Sequence, residues 1–157
     1  MGSLDGKKAV VTGASRGIGA AIARRLAGDG AAVALTYERS ADAAQAVVSD
    51  ITRDGGRAVA VRMSAGETAS VRQAVDDAVT ALGGLDILVN NAGVLRGGPI
   101  EQLSVRGVMV ATLAALPHLG AGGRIISTGS NLATRVPDPG SDGPRASRAI
   151  SDPVVSR

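Results

Sequence analysis

Residues 8–30, KAVVTGASRGIGAAIARRLAGDG, constrain the fold of this chain more than any other stretch. A short apolar run, KAVVTG (8–13), ends on glycine and suits a strand buried in a parallel sheet. The turn TGASRGIG (12–19) follows. Residues 17–30 then place Ile18, Ile22, Leu26 and nearby alanines on one stripe, with Arg24, Arg25 and Asp29 elsewhere. That pattern is a helix of about three turns, closed by Gly30. A strand that enters a helix through a glycine-rich turn needs a second parallel strand to complete the unit, and AAVALTY (31–37) supplies one.

The alternation continues. A helix is expected over 40–56, with Ser40 as N-cap and Gly55–Gly56 as its stop, then a third strand over 57–63. A third helix over 67–84 aligns Val71, Val75, Val79 and Leu82. A fourth strand, 85–93, runs into a polar turn. A fourth helix is expected over 105–123 and a fifth strand over 124–130. Strands alternating with helices of this length predict an α/β fold, a doubly wound parallel sheet of the Rossmann-like kind with about five strands and flanking helices. After Ser130 the periodicity dissolves. Residues 131–157 hold four of the chain's six prolines among Gly, Ser and Arg, and read as loop and disordered tail. The expected division is therefore an incomplete dinucleotide-binding type of domain over 1–130 and a tail over 131–157.

Composition narrows the class. Apolar residues are 45% of the 157, almost all Ala, Val, Leu and Ile, with no Trp, no Phe and one Tyr, so the core must be aliphatic. No apolar run approaches the ~20 residues of a membrane span, and MGSLDGKK is not followed by the apolar segment of a signal peptide. There is no cysteine, hence no disulfide framework or thiolate metal site, and no His/Asp/Glu cluster has ligand spacing. The +3 charge is spread as single arginines without interleaved aromatics, which argues against a nucleic-acid partner. A soluble cytoplasmic protein without membrane or metal is the expectation. Lone His118 reads as a helix C-terminal residue meeting the dipole, and Asp76–Asp77 as a solvated face.

In a parallel sheet of this kind ligands bind beyond the C-terminal strand ends, where strand order reverses. TGASRGIG sits there. Gly13 allows the tight turn, while Gly17 and Gly19 let a diphosphate and the first strand approach the helix. Ile18 lies in the same turn, and Ser15 and Arg16 add a hydroxyl and a guanidinium. The helix N-terminus offers free N–H groups and a positive dipole end. At the end of the fourth strand stands NNAG: Asn90, Asn91, Ala92 and Gly93. Asn tolerates awkward backbone geometry and bonds neighbouring strands, so a structural role competes with ligand contact.

With TGASRGIG and NNAG in this order and spacing, the chain resembles the short-chain dehydrogenase/reductase family over about residues 6–135, and within it the 3-oxoacyl-[acyl-carrier-protein] reductase-like members. The resemblance implies a nicotinamide dinucleotide whose diphosphate lies on TGASRGIG, with NNAG steadying the sheet beside the adenine ribose. TYERS (36–40) carries the cofactor choice: Arg39, Ser40 and Arg16 together suit a ribose 2′-phosphate, and NADP is expected over NAD, with Glu38 as counter-evidence. Ser64 stands about where family members carry an Asp on the adenine amino group, so adenine binding should be weaker.

The family's chemistry uses a Tyr as general acid/base, a Lys four residues on that favours its phenolate, a Ser and a helical Asn. Ser130 in STGS matches the Ser. The only tyrosine is Tyr37, and the only lysines are Lys7 and Lys8. The Tyr spacing falls on Gly143 or Pro144, and the Lys position on Ser147 or Arg148. About ten residues usual in the family are missing between Ser104 and Val105, including the Asn, and the last helix and two strands are lacking. The leading expectation is an NADP(H)-binding oxidoreductase relative that is truncated and catalytically impaired. One alternative is an active NADPH-dependent carbonyl reductase using water or Ser130 as acid. Another is a non-enzymatic binding module, self-associating or aggregating through surfaces left uncovered.

Overall fold

A computed structural model describes residues 2–92 and 105–129. Five strands and four helices alternate along them: β1 (Lys8–Val11), α1 (Gly17–Gly28), β2 (Ala32–Tyr37), α2 (Ala41–Arg53), β3 (Arg57–Arg62), α3 (Thr68–Leu82), β4 (Leu85–Asn90), α4 (Val105–Ala115) and β5 (Leu119–Ser127). Every strand pairing is parallel, and the sheet order is β3-β2-β1-β4-β5. The chain winds outward from β1 to β3, then returns to place β4 on β1's other side. Strand order reverses between β1 and β4.

Alternate side chains of the strands feed two cores, as the pleat requires. Ala9, Val11, Val33, Leu35, Ile87 and Val89 pack with α1 and α2 on one face. Val10, Ala34 and Leu88 pack with Val71, Val75 and Ala78 of α3 and with Val110, Ala111 and Ala115 of α4 on the other. The doubly wound fold expected from the periodicity is the observed one. Among the described residues no helix is long and apolar enough to cross a membrane.

Three expectations change. First, α1 buries Gly19, Ala20, Ala23 and Ala27, not the stripe headed by Ile18, which is 71% exposed. The small residues let the helix lie close to the sheet, and Ile22 and Leu26 flank the contact half-buried. Second, the expected fourth helix over 105–123 stops at Ala115. Leu116–His118 form a 3₁₀ turn and β5 already begins at Leu119. Pro117 is the physical reason: it has no N–H, and its ring would collide with the Leu113 carbonyl in a continuing helix. The glycines of GAGG are taken into the strand as a bulge, since Leu85 faces Leu119 while Ile87 faces Arg124, and Gly122 has φ +84°. Third, Ser40 occupies the N-cap position of α2 but its hydroxyl caps nothing. His118, in the 3₁₀ turn, lies with Nε2 3.3 Å from Asp76 Oδ1 on α3. The tail 131–157, Ser130, Gly93 and the junction before Val105 fall outside the described residues.

On the surface, Asp50 of α2 accepts from Arg24 Nη2 of α1 and from Arg53 Nη2, both at 2.8 Å. The hydrogen bonds from Arg24 and Arg53 hold its carboxyl below the usual carboxylate range. A folded-state pKa below the unfolded one stabilises the fold above the unfolded value and loses that contribution as pH falls through the folded one. Titrating Asp50 by carboxyl NMR should therefore give a midpoint below that of an aspartate in an unfolded peptide. Asp50→Asn should flatten the acid side of the stability profile below pH ~4. In the core, Leu88→Ala should cost about 2–5 kcal/mol, read by urea denaturation.

Candidate functional site

The C-terminal ends of β1 and β4 meet where the strand order reverses, and three side chains tie them. Buried Thr12 follows β1. Its Oγ1 accepts from the backbone amides of Asn91 and Ala92, both at 3.0 Å. Asn91 Nδ2 donates to the carbonyls of Thr12 and Gly13, both at 3.1 Å. Asn90 is 3% exposed; its Nδ2 donates to Thr112 Oγ1 of α4 at 3.2 Å, and its carbonyl accepts from the Thr128 amide at 3.0 Å. Asn90 Oδ1 is buried and has no partner among the described residues.

On this tie rests the turn TGASRGIG. Gly13 has φ +65°, and a Cβ there would sit 2.8 Å from the Ala92 Cα. Gly19 has no side-chain room, because a Cβ would lie 2.6 Å from the Gly13 carbonyl and collide with Asn91 Nδ2. Gly17 has φ +58° but faces open space, so it is required by its backbone conformation and not by crowding. The amides of Gly13 and Ala14 are both spoken for: Gly13 N donates to Thr36 Oγ1 at 3.0 Å and Ala14 N to the Thr36 carbonyl at 2.9 Å. The amides from Ser15 to Gly19 donate to no described group, and Arg16, in extended conformation at the N-cap of α1, offers no side-chain cap. The turn thus presents a run of unpaired N–H groups at the positive end of a helix, the arrangement that receives phosphate oxygens.

The other expected residues fall around it. Ile18, exposed in the first turn of α1, flanks the free amides. Arg16 and Arg39 are exposed and Ser40 half-buried, the latter two just beyond the tip of β2, the strand beside β1. Neither arginine makes a salt bridge among the described residues. Ser64, half-buried after β3, donates its amide to Ser70 Oγ at 2.9 Å, which shapes the entry to α3. Ala92 stacks under Gly13. Gly93 and Ser130 lie outside the described residues.

Tyr37 and the lysines are at opposite ends of the sheet. Tyr37 closes β2 and packs against the α1/α2 core, with its carbonyl taking the Met63 amide at 2.7 Å. Lys8 begins β1 and pairs with Ala32, five residues before Tyr37 along β2, a separation of about 16 Å at the rise of a strand. Lys8 Nζ donates to the Gly83 carbonyl at 2.7 Å and Lys7 Nζ pairs with Asp86 at 3.3 Å. Among the described residues no phenol and ammonium come together.

Sequence reasoning singled out the glycines and read Asn91 as a residue that bonds neighbouring strands, but did not name Thr12 or Thr36 as residues that hold the turn. A buried threonine inside an apolar strand run is the signal that could have pointed to both, since a hydroxyl in a core needs a partner.

Fold and turn together define a doubly wound α/β protein with a glycine-rich turn of free amides at the switch point of its sheet. Residues 7–142 match the short chain dehydrogenase family model, and the chain belongs to that family. An uncharacterized oxidoreductase of Methylorubrum extorquens is 48% identical over 141 residues, covering 83% of this chain and 57% of that protein. Elsinochrome reductase 1 of Elsinoe fawcettii is 43% identical, covering 81% and 52%. Among solved structures, a short chain dehydrogenase from Burkholderia cenocepacia in complex with NADP superposes with a TM-score of 0.87 at 53% identity, covering 94% of this chain and 65% of that one. A dehydrogenase/reductase from Sinorhizobium meliloti gives 0.88 at 51%, covering 94% and 64%. The chain spans a little over half the length of these curated relatives.

Two glycines of one helix make opposite predictions. Gly19→Ala should lower the midpoint of thermal unfolding, because backbone lies where the methyl must go. Gly28→Ala, with nothing within 4 Å and no positive φ, should stabilise by about 0.4–1 kcal/mol. Differential scanning calorimetry of the two variants checks both signs.

Proposed function

We propose that this chain binds NADP(H) on the turn TGASRGIG, and that the residues it holds do not form the proton-transfer pair needed for efficient carbonyl reduction. The observation that carries the first half is the run of unpaired amides from Ser15 to Gly19 at the start of α1. The donors fit a diphosphate in number and in sign, and Gly17 leaves open space above them. When bound, the nicotinamide supplies hydride exchange with a carbonyl or alcohol.

The chain's own residues would then act as follows. Ser15 and the turn amides hold the diphosphate, while Asn91, through Thr12 and Gly13, keeps β4 from moving relative to them. Arg39, Ser40 and Arg16 take the ribose 2′-phosphate; two exposed guanidiniums without carboxylate partners among the described residues favour that group over a bare 2′-hydroxyl. A Burkholderia cenocepacia relative and a blue fluorescent protein from a metagenomic library, 43% identical, are described as complexes with NADP and NADPH. Ser64 and Ala92 border the adenosine side with Asn90 at the base; the family resemblance would add Gly93 there and would assign Ser130 to the substrate oxygen. Nothing on the described strands can carry the proton: Tyr37 is the single phenol, and the lysines sit at the far edge of the sheet.

Titration should give a tighter dissociation constant for NADPH than for NADH, and Arg39→Ala should bring the two within about threefold of each other. Equal affinities in the unaltered chain would end the NADP assignment. Substrate-dependent loss of NADPH absorbance, abolished by Ser130→Ala, would show that the chain is an active reductase after all.

A second reading, self-association, is favoured by one observation. Met109, Leu113 and Leu116 are exposed along α4 and its following turn, and Ile125 and Ile126 along β5. Light scattering over a concentration series separates a defined oligomer from open-ended aggregation and from a monomer.

A further inference from the structure

We infer that Thr36 is a positioning residue that fastens the phosphate-binding turn to the tip of β2, so that both phosphate contacts of the nucleotide are held in one register. The inference rests on the nucleotide reading above and adds to it a residue that touches no ligand.

Thr36 is 1% exposed in a strand whose preceding residues, Val33, Ala34 and Leu35, are all fully buried and apolar. Valine would suit that place by shape and by strand preference, and a core hydroxyl is costly unless it is bonded. The hydroxyl has a specific task. The β1–β2 ladder ends at the pair Val11 and Leu35. Beyond it β1 turns away, yet β2 keeps hold of the departing chain through one residue: Thr36 Oγ1 accepts the Gly13 amide and the Thr36 carbonyl accepts the Ala14 amide. The side-chain oxygen thus supplies an acceptor that no backbone group of β2 supplies at that point.

This double attachment decides which amides the turn can offer. Gly13 and Ala14 point back to β2, and the free donors begin at Ser15. It also fixes a distance. Three residues after Thr36 comes Arg39, and four after it Ser40, the groups proposed for the 2′-phosphate. The diphosphate turn and the 2′-phosphate loop are therefore anchored at the same residue, on either side of the β1–β2 boundary. Without the hydroxyl, the half-buried Gly13 amide loses its partner, and β2 holds the turn only through the Ala14 amide on the Thr36 carbonyl, with Asn91 still on the Gly13 carbonyl from the other side.

The test compares the full chain with Thr36→Val, which keeps the shape and removes the acceptor, and Thr36→Ser, which keeps the acceptor. In the free protein, amide exchange by NMR should show Gly13 protected relative to Ser15–Ile18. Protection should be lost in Thr36→Val and retained in Thr36→Ser. Calorimetric titration with NADPH should show about tenfold or greater weakening in Thr36→Val and a change within about threefold in Thr36→Ser. Gly13 exchanging as fast as Ser15 in the unaltered chain overturns the inference even if the valine variant does not fold. Equal NADPH affinity in the unaltered and valine chains overturns it while leaving the nucleotide reading intact. Failure of the unaltered chain to bind NADPH overturns both.

Discussion

The contact on which the rest of the structure depends is the tie between the paired strands β1 and β4 at their C-terminal ends. Thr12 and Asn91 satisfy one another there through backbone groups, and the carbonyls of Thr12 and Gly13 are taken by the Asn91 side-chain amide. The ladder between the two strands ends at Val11 and Val89, the Thr12 amide still reaches the Val89 carbonyl, and beyond that point side chains carry the contact. Two of the glycine requirements in the turn follow: Gly13 has to clear Ala92, and Gly19 has to clear Asn91. The first helix then lies low enough for alanines to seal it against the sheet. A bulkier contact at any of these places would lift the helix and turn its free amides away from the strand ends.

The architecture was legible because its signals are local and repeated. Fully buried strands read as continuous apolar runs, and helices between them read as stripes of valine and leucine, as in α3. The turn TGASRGIG was legible because glycines at fixed offsets between a strand and a helix serve few purposes besides a positive φ or a close approach. Where reading failed, a tertiary demand had overridden a local preference. Ile18 belonged to a periodic stripe, but the close approach of α1 is made by Gly19 and Ala20, and the larger residue is left outside. The Ala/Leu run after Val105 read as helix through Gly123, yet one proline ended it and the glycines were drawn into β5 by pairing with β4. Asn91 was legible only as a residue that bonds neighbouring strands, and Thr12 and Thr36 not at all, because their bonds join residues 22 to 80 apart along the chain.

The lysines and the single phenol lie at opposite ends of the strands. The turn amides and the two arginines suited to phosphate lie on the C-terminal edge of the sheet. Both lysines lie on the N-terminal edge, committed to the Gly83 carbonyl and to Asp86. A phenol's affinity for its proton falls when a cation stands beside it, and the length of the strands keeps these groups apart.

The bulge in β5 has its own consequence. Its ladder to β4 is interrupted between Leu119 and Arg124, and most of its side chains face water. Among the described residues β5 is paired on one side, and a strand held so and broken in the middle is the first to fray, such openings occupying the low end of a protein's free-energy range. Fraying there would release the Thr128 amide from the Asn90 carbonyl while leaving the Thr12–Asn91 tie closed. Loosening of the outer strand is thus separable from the packing beneath the glycine-rich turn.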